Sequence, residues 1–116
     1  MSKGPATAQE LYDVLKPLQE KRGYYFNKDM DMTMPLLEQL LVTKARYGYM
    51  ACPCRFANGE FAKDKDIVCP CVYREADVAE YGACFCGLYV CKDCHEGKIP
   101  FVSVVPDRRP PENIIF

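Results

Sequence analysis

All eight cysteines of this chain lie between Cys52 and Cys94, and this limits what its 116 residues can fold into more than any other feature. The first 51 residues and the last 22 contain none. A disulfide-stapled secreted domain spreads its cysteines so that the cross-links tie the whole chain together. Here they are concentrated. Met1-Ser2-Lys3-Gly4-Pro5 carries no apolar targeting core, and no stretch approaches the roughly 18 apolar residues of a membrane span, so a soluble, cytoplasmic protein without a membrane partner is expected. Ordinary thiols stay reduced there, and a dense cysteine cluster reads as metal binding or redox catalysis. His95 is the only histidine, so any extensive metal site must be built from thiolates, which select zinc or iron–sulfur clusters. Hydrophobic residues make up 49% and charged residues 27%, a globular balance, and the net charge of −1 lacks the basic footprint of a nucleic-acid binder.

The cysteine-free first part reads as helical support. Thr7-Ala8-Gln9-Glu10 has the form of a capping box. Leu11, Val14, Leu15 and Leu18 follow at the spacing of one helix face, with Pro17 predicting a kink and Gly23 a stop. A second helix is signalled by Thr33 as cap, Pro35 in its first turn and Leu36, Leu37, Leu40 and Leu41 as its buried stripe, ending near Gly48. Beyond Tyr49 the periodicity breaks up. A short helix is expected from Arg74 to Tyr81, closed by Gly82, and a tight turn at Asn58-Gly59. Leu88-Tyr89-Val90 and Phe101–Val105 have strand composition, which allows a short β ribbon near the C-terminus. The tail from Pro106 to Pro111 is expected to run over the surface.

The cysteines come as Cys52-Pro53-Cys54, Cys69-Pro70-Cys71, Cys84-Phe85-Cys86 and Cys91-Lys92-Asp93-Cys94. Three C-x-C pairs and one C-x-x-C are not a zinc ribbon, which uses C-x-x-C pairs to bring both sulfurs of a turn to one ion, nor the bacterial ferredoxin run. Proline within a C-x-C fixes its own φ and holds the preceding cysteine extended, so a turn there can send one sulfur to a metal and the other elsewhere. Such a division suggests a cluster with a dithiol beside it. Two structural zinc sites, or an iron–sulfur electron carrier without disulfide chemistry, are the alternatives.

These motifs, with Tyr25-Phe26 and Asp29 ahead of the second helix, Arg55 and Phe56 after the first CPC, Val72 after the second and Leu88 after the C-x-C, resemble the catalytic (beta) chain of ferredoxin–thioredoxin reductase. The resemblance implies a small, mainly helical single domain with irregular loops wrapped around one 4Fe-4S cluster, in which residues 1–48 support, residues 49–95 hold the cluster and disulfide, and residues 96–116 form a tail. It implies Cys52, Cys69, Cys71 and Cys84 as cluster ligands and Cys54 with Cys86 as the redox-active disulfide. Cys54 would be the more exposed thiol that attacks the substrate protein, and Cys86 the one that interacts with the cluster and resolves the mixed disulfide. Ferredoxin is then the electron donor and thioredoxin or a thioredoxin-like protein the acceptor. In plant-type members a small variable chain accompanies the catalytic one, so an accessory subunit is a further partner to consider.

Three features depart from that pattern. Phe85 stands where the plant-type pattern has a histidine that assists proton handling, which leaves His95 as an alternative proton carrier or else a surface or capping residue. The intervals between motifs, 14 residues between the CPC pairs and 12 before the C-x-C, are respectively shorter and longer than in plant-type members. Cys91 and Cys94 are additional, and are read either as an auxiliary dithiol, with His95 beside them, or as reduced or incidentally bridged cysteines. Arg55, Lys63, Lys65, Arg74, Lys92, Lys98, Arg108 and Arg109 are candidates to face an acidic ferredoxin. Tyr47, Tyr49, Phe56, Phe61, Tyr73, Phe85 and Tyr89 are expected to shield the cluster from water.

Overall fold

The computed structural model of the chain describes residues 6–52, 57–102, 104–106 and 108–110. Its elements in order are α1 (Ala8–Lys21), β1 (Tyr25–Phe26), α2 (Met30–Tyr47), α3 (Phe61–Asp64), α4 (Arg74–Tyr81), β2 (Tyr89–Val90) and α5 (Lys92–His95). Helices thus carry most of the regular structure among the described residues. None of these helices is long and apolar enough to cross a membrane.

Thr7 caps α1, its hydroxyl oxygen accepting from the Glu10 amide at 3.2 Å, and the Thr7 hydroxyl in turn donates to the Glu10 carboxylate at 3.1 Å. The helix continues through Pro17, which lies on the exposed face, and stops just before Gly23. Its buried face is rotated from the expected one. Leu11 is buried and Leu15 packs on the core, but Val14 and Leu18 are 48% and 53% exposed, and Ala8, Tyr12 and Gln19 take their places. Partners elsewhere decide this. The Tyr12 ring stacks on Phe26 with centroids 4.9 Å apart, and the Gln19 side chain accepts from Arg74 of α4 at 2.6 Å.

The second helix starts earlier than the Thr33 cap predicts. Asp29 is the cap, accepting from the Asp31 amide at 3.0 Å. Thr33 sits inside the helix, fully buried, and its hydroxyl donates to the Asn27 carbonyl at 2.6 Å. Pro35 therefore falls in the second turn. The stripe is as expected: Leu37 and Leu40 are completely buried, and Leu36 and Leu41 are partly so. Gly48 ends the helix in the left-handed region at φ 86°, where its amide reaches the Lys44 carbonyl at 2.8 Å.

The ribbon is not near the C-terminus. β1 pairs antiparallel with β2, Tyr25 opposite Val90 and Phe26 opposite Tyr89, and Ala83 bridges Val90 on its other side. The described residues of 101–105 form no strand. Pro100 and Pro106, which have no amide to give to a ladder, bracket that segment, and Val105 is held by its side chain against Ala83, Val90 and Cys94. The tail from Pro106 to Pro111 does not simply cross the surface, since Arg109 is buried.

The main core joins both halves of the sequence. Leu11, Phe26, Leu37 and Leu40 pack with Cys84, Leu88 and Tyr89. Asn27 fixes the joint: its amide nitrogen Nδ2 donates to the Gly87 carbonyl at 3.1 Å, its backbone amide to the Leu88 carbonyl at 2.9 Å, and its Oδ1 accepts from the Asp29 amide at 2.9 Å. Substituting Asn27→Ala leaves the buried Gly87 carbonyl without that donor and removes the support of the α2 cap. Unfolding of anaerobically purified protein in urea should show a loss of about 1–3 kcal/mol.

Candidate active site

The third cysteine pair is carried by a hairpin. The Cys84 amide donates to the Tyr89 carbonyl and the Cys91 amide to the Gly82 carbonyl, each at 2.9 Å, so residues 82–84 run antiparallel to 89–91. The Gly87 amide closes the turn on the Cys84 carbonyl at 2.9 Å. Cys84, Phe85 and Cys86 therefore occupy the hairpin tip. Gly87 has φ 78°, and a Cβ there would lie 3.0 Å from the Phe101 ring and 3.3 Å from the Met32 methyl. The Sγ atoms of Cys84 and Cys86 are 3.8 Å apart, and the Tyr89 amide donates to Cys84 Sγ at 3.3 Å.

The first two pairs are brought together by a second antiparallel crossing. Ala51 bridges Val68, the Cys52 amide donates to the Ile67 carbonyl at 2.8 Å, and the Cys69 amide to the Met50 carbonyl at 2.7 Å. Beyond Cys71 the chain enters α4, with the Arg74 amide donating to the Cys71 carbonyl at 3.1 Å. The Cys69–Pro70 peptide is cis.

These two constructions meet at one pocket, lined by Cys52, Cys69, Pro70, Cys71, Arg74, Cys84, Phe85, Cys86 and Tyr89. Cys52, Cys71 and Cys84 are buried, and Cys69 and Cys86 partly so. Burial, followed by the charges of Cys52, Cys84 and Cys71, pushes the Cys69 thiol well above the ordinary range. Cys84 goes the other way: its contact with Cys86 and the amides of Tyr89, Leu88 and Gly87 favour the thiolate and pull it below the ordinary range, against the effect of burial. Among the described residues no three or more His, Cys, Asp or Glu side chains form a group arranged for a single metal ion; the five cysteines instead line a shared space.

Arg74 belongs to the site, which its sequence reading did not foresee. Taken as a docking charge, it is only 6% exposed and forms part of the pocket wall. Its guanidinium lies 3.7 Å from the Tyr24 ring centroid and 4.8 Å from that of Tyr89, and Nη1 donates to Gln19. None of the described carboxylates pairs with it. A buried cation with neutral partners calls for a negative neighbour, and the thiols supply the only such chemistry in the wall. Tyr89 adds an unused donor, since its hydroxyl is buried with no hydrogen-bond partner among the described residues. Its place three residues after the second CPC, at the entry to a helix, was the available signal for Arg74.

The remaining expectations divide. Cys54, Arg55 and Phe56 lie outside the described residues. Phe85 and Tyr89 line the pocket as expected, whereas Tyr49 stacks on Tyr47 and meets Phe61 edge to face, and Tyr73 donates to Asp66 at 2.7 Å. Arg109 is buried on Asp66 at 2.9 Å, and Arg108 holds the buried Asp77 at 2.8 Å and also Glu80, so neither is an open docking charge. Lys63, Lys65, Lys92 and Lys98 are exposed. His95 does not line the pocket; its Nδ1 meets the Phe26 carbonyl at 2.7 Å, anchoring α5 to β1. Cys91 caps α5 and Cys94 lies within it, both packed on a separate apolar cluster.

The family model for the ferredoxin thioredoxin reductase catalytic beta chain matches residues 5–102. The chain belongs to this family. None of the curated proteins matches it. The family name implies an oxidoreductase that works with ferredoxin and thioredoxin, and the family is known for an iron–sulfur cluster. The match takes in every cysteine motif, including the hairpin tip.

That tip depends on Gly87. Substituting Gly87→Ala should cost about 1–2 kcal/mol from the left-handed backbone alone, with the Phe101 and Met32 contacts adding to it. Urea unfolding of the variant, compared with Gly23→Ala, whose Cβ meets nothing within 4 Å, separates the contact from the backbone effect.

Proposed function

We propose that this chain reduces the disulfide of thioredoxin or a thioredoxin-like protein with electrons from ferredoxin, using one 4Fe-4S cluster and a Cys54–Cys86 disulfide. The observation that carries this reading is the pocket: four cysteines from three separate motifs, Cys52, Cys69, Cys71 and Cys84, face one buried space with Cys86 in its wall. The donor set fits the group. Four thiols are the ligation that iron–sulfur clusters take, and Arg74 and the unused Tyr89 hydroxyl suit an anionic, sulfur-rich occupant.

Held by Cys52, Cys69, Cys71 and Cys84, a bound cluster would supply single electrons; with two electrons and two protons the Cys54–Cys86 bridge becomes a dithiol. The rest is thiol chemistry of the chain itself. Cys54, as a thiolate, attacks one sulfur of the substrate disulfide, and the other substrate sulfur leaves. Cys86 then attacks Cys54 Sγ, which re-forms the bridge and releases the substrate with both sulfurs reduced. Phe85 lines the pocket and cannot move a proton, so the protons taken up by the departing substrate come from solvent or from another group. Residues 1–48 serve as the support and residues 49–95 as the working region in this scheme.

Anaerobically purified protein should be brown and contain about four iron and four sulfide per chain. Cys54→Ser and Cys86→Ser should each lower ferredoxin-driven thioredoxin reduction roughly a hundredfold or more with iron content retained. Colourless protein carrying two zinc ions, or either variant keeping its activity, would overturn the proposal.

The Arg74 charge should stabilise the more negative, reduced state of the cluster. At an effective dielectric near 20 such an interaction is at most about 4 kcal/mol, at contact distance, which sets an upper bound on the order of 100–200 mV for a one-electron couple. Arg74→Met keeps the packing between Tyr24 and Tyr89 while removing the charge, and a redox titration followed by electron paramagnetic resonance should find the potential lowered by up to that amount. Arg74→Lys should recover much of it.

A further inference from the structure

Cys91 and Cys94 are left over by the reductase scheme, and their setting is specific. Cys91 precedes α5 in an extended conformation, φ −72° and ψ 163°, and its carbonyl accepts the His95 amide at 3.0 Å. Cys94 therefore lies one helical turn on, at i+3, where side chains stand over one another. Both pack on the cluster of Ala83, Val90 and Val105, but unequally: Cys94 is 6% exposed, whereas Cys91 is only partly buried. The two thiols are unbridged.

Their position relative to the pocket is equally defined. Cys84 faces Tyr89 and Gly82 faces Cys91 on the same hairpin, two residues apart along each strand. At about 3.4 Å per residue the two rungs are roughly 7 Å apart. The pair therefore lies at the base of the hairpin whose tip carries Cys84 and Cys86, yet in a different apolar cluster from Cys52, Cys69 and Cys84.

We propose that Cys91 and Cys94 form a second dithiol–disulfide couple, distinct from Cys54 and Cys86, that exchanges with protein disulfides of the thioredoxin type. The asymmetry in burial assigns the roles. Cys91, the accessible member, attacks one sulfur of the partner disulfide as a thiolate; a Cys91–partner bond forms and the partner's second sulfur leaves and takes a proton. Cys94, losing its proton to water, attacks Cys91 Sγ. The Cys91–Cys94 bond forms, the mixed bond breaks, and the partner's first sulfur leaves and is protonated. Two electrons pass from the couple to the partner, and the same exchange run backwards with a small-molecule dithiol or a reduced thioredoxin-type protein restores it. Burial and the nearby Cys91 charge raise the Cys94 thiol, which suits the member that waits protonated until the mixed disulfide forms.

The same five residues, Cys91 to His95, also have the form used for covalent haem attachment. The packing opposes it. The Tyr25 ring lies 5.4 Å from His95, and Ala83, Val90 and Val105 occupy the space over Cys94.

The couple goes beyond the proposed reaction, and its test removes Cys54 and Cys86 so that the two can fail separately. Full-length Cys54→Ser/Cys86→Ser protein, purified anaerobically with its cluster, is equilibrated across reduced and oxidised dithiothreitol mixtures, alkylated and mapped by mass spectrometry. The expected result is a Cys91–Cys94 bridge whose fraction follows a two-electron curve. Adding Cys94→Ser should then give a covalent adduct through Cys91 with an oxidised thioredoxin. Should the double variant fail to fold, mapping the same bridge in the unaltered chain serves instead. Alkylation of both thiols at every ratio overturns the couple, as does covalently bound haem, or one zinc per chain that disappears in Cys91→Ser/Cys94→Ser.

Discussion

The pairing of Tyr89-Val90 with Tyr25-Phe26 is the contact on which the rest of the molecule depends. A ladder of two residues per strand is marginal by itself. It persists because β2 is embedded: Leu88, Tyr89 and Val90 are at most 2% exposed, the Phe26 and Tyr89 rings stack at 5.3 Å, and Asn27 holds the Gly87 and Leu88 carbonyls. The cysteine-free segment thus supplies more than a platform. It fixes the strand from which both the pocket wall and the hairpin tip are built, and through the His95 contact to the Phe26 carbonyl it also fixes α5.

A second constraint is electrostatic. Four thiols facing one buried space cannot all ionise cheaply, as the opposite displacements of Cys69 and Cys84 show. Arg74 answers this with a cation that has been stripped of water and given aromatic faces and an amide oxygen as neighbours. Rings can solvate a guanidinium without neutralising it, so its full charge is directed at the pocket. A carboxylate in place of Gln19 would have cancelled that field.

What could be read from the sequence was whatever depends on neighbours along the chain. The capping box at Thr7, the Leu36–Leu41 stripe, the helix from Arg74 to Tyr81 and the paired cysteines all follow from local spacing, and the family follows from the order of the pairs. The rotation of α1 was not legible, because the reasons that Tyr12 and Gln19 face inward lie in Phe26 and Arg74. Thr33 is the same case: its cap-like chemistry is spent on the Asn27 carbonyl while Asp29 takes the helix end. Charge was the least legible property. Among the arginines taken for docking groups, Arg74 and Arg109 are buried and Arg108 is ion-paired, and only their partners distinguish them from solvated charges.

Those partners show how the segment bearing the first CPC is framed. On one side Cys52 is fixed by its amide on the Ile67 carbonyl. On the other, the completely buried Asp64 gathers the Asn58 amide at 2.8 Å, the Gly59 amide at 3.0 Å and the Tyr49 hydroxyl at 2.6 Å. Arg109 lies 4.0 Å from the same carboxylate and is bonded to Asp66, so the C-terminal segment closes over this anchor. Breaking such a network exposes an uncompensated buried carboxylate, a loss much larger than that of a surface ion pair. Cys52 on one side and Asn58 with Gly59 on the other are thus fixed by groups that do no chemistry themselves, so the core, and not the cysteines, sets where the chain enters and leaves this motif.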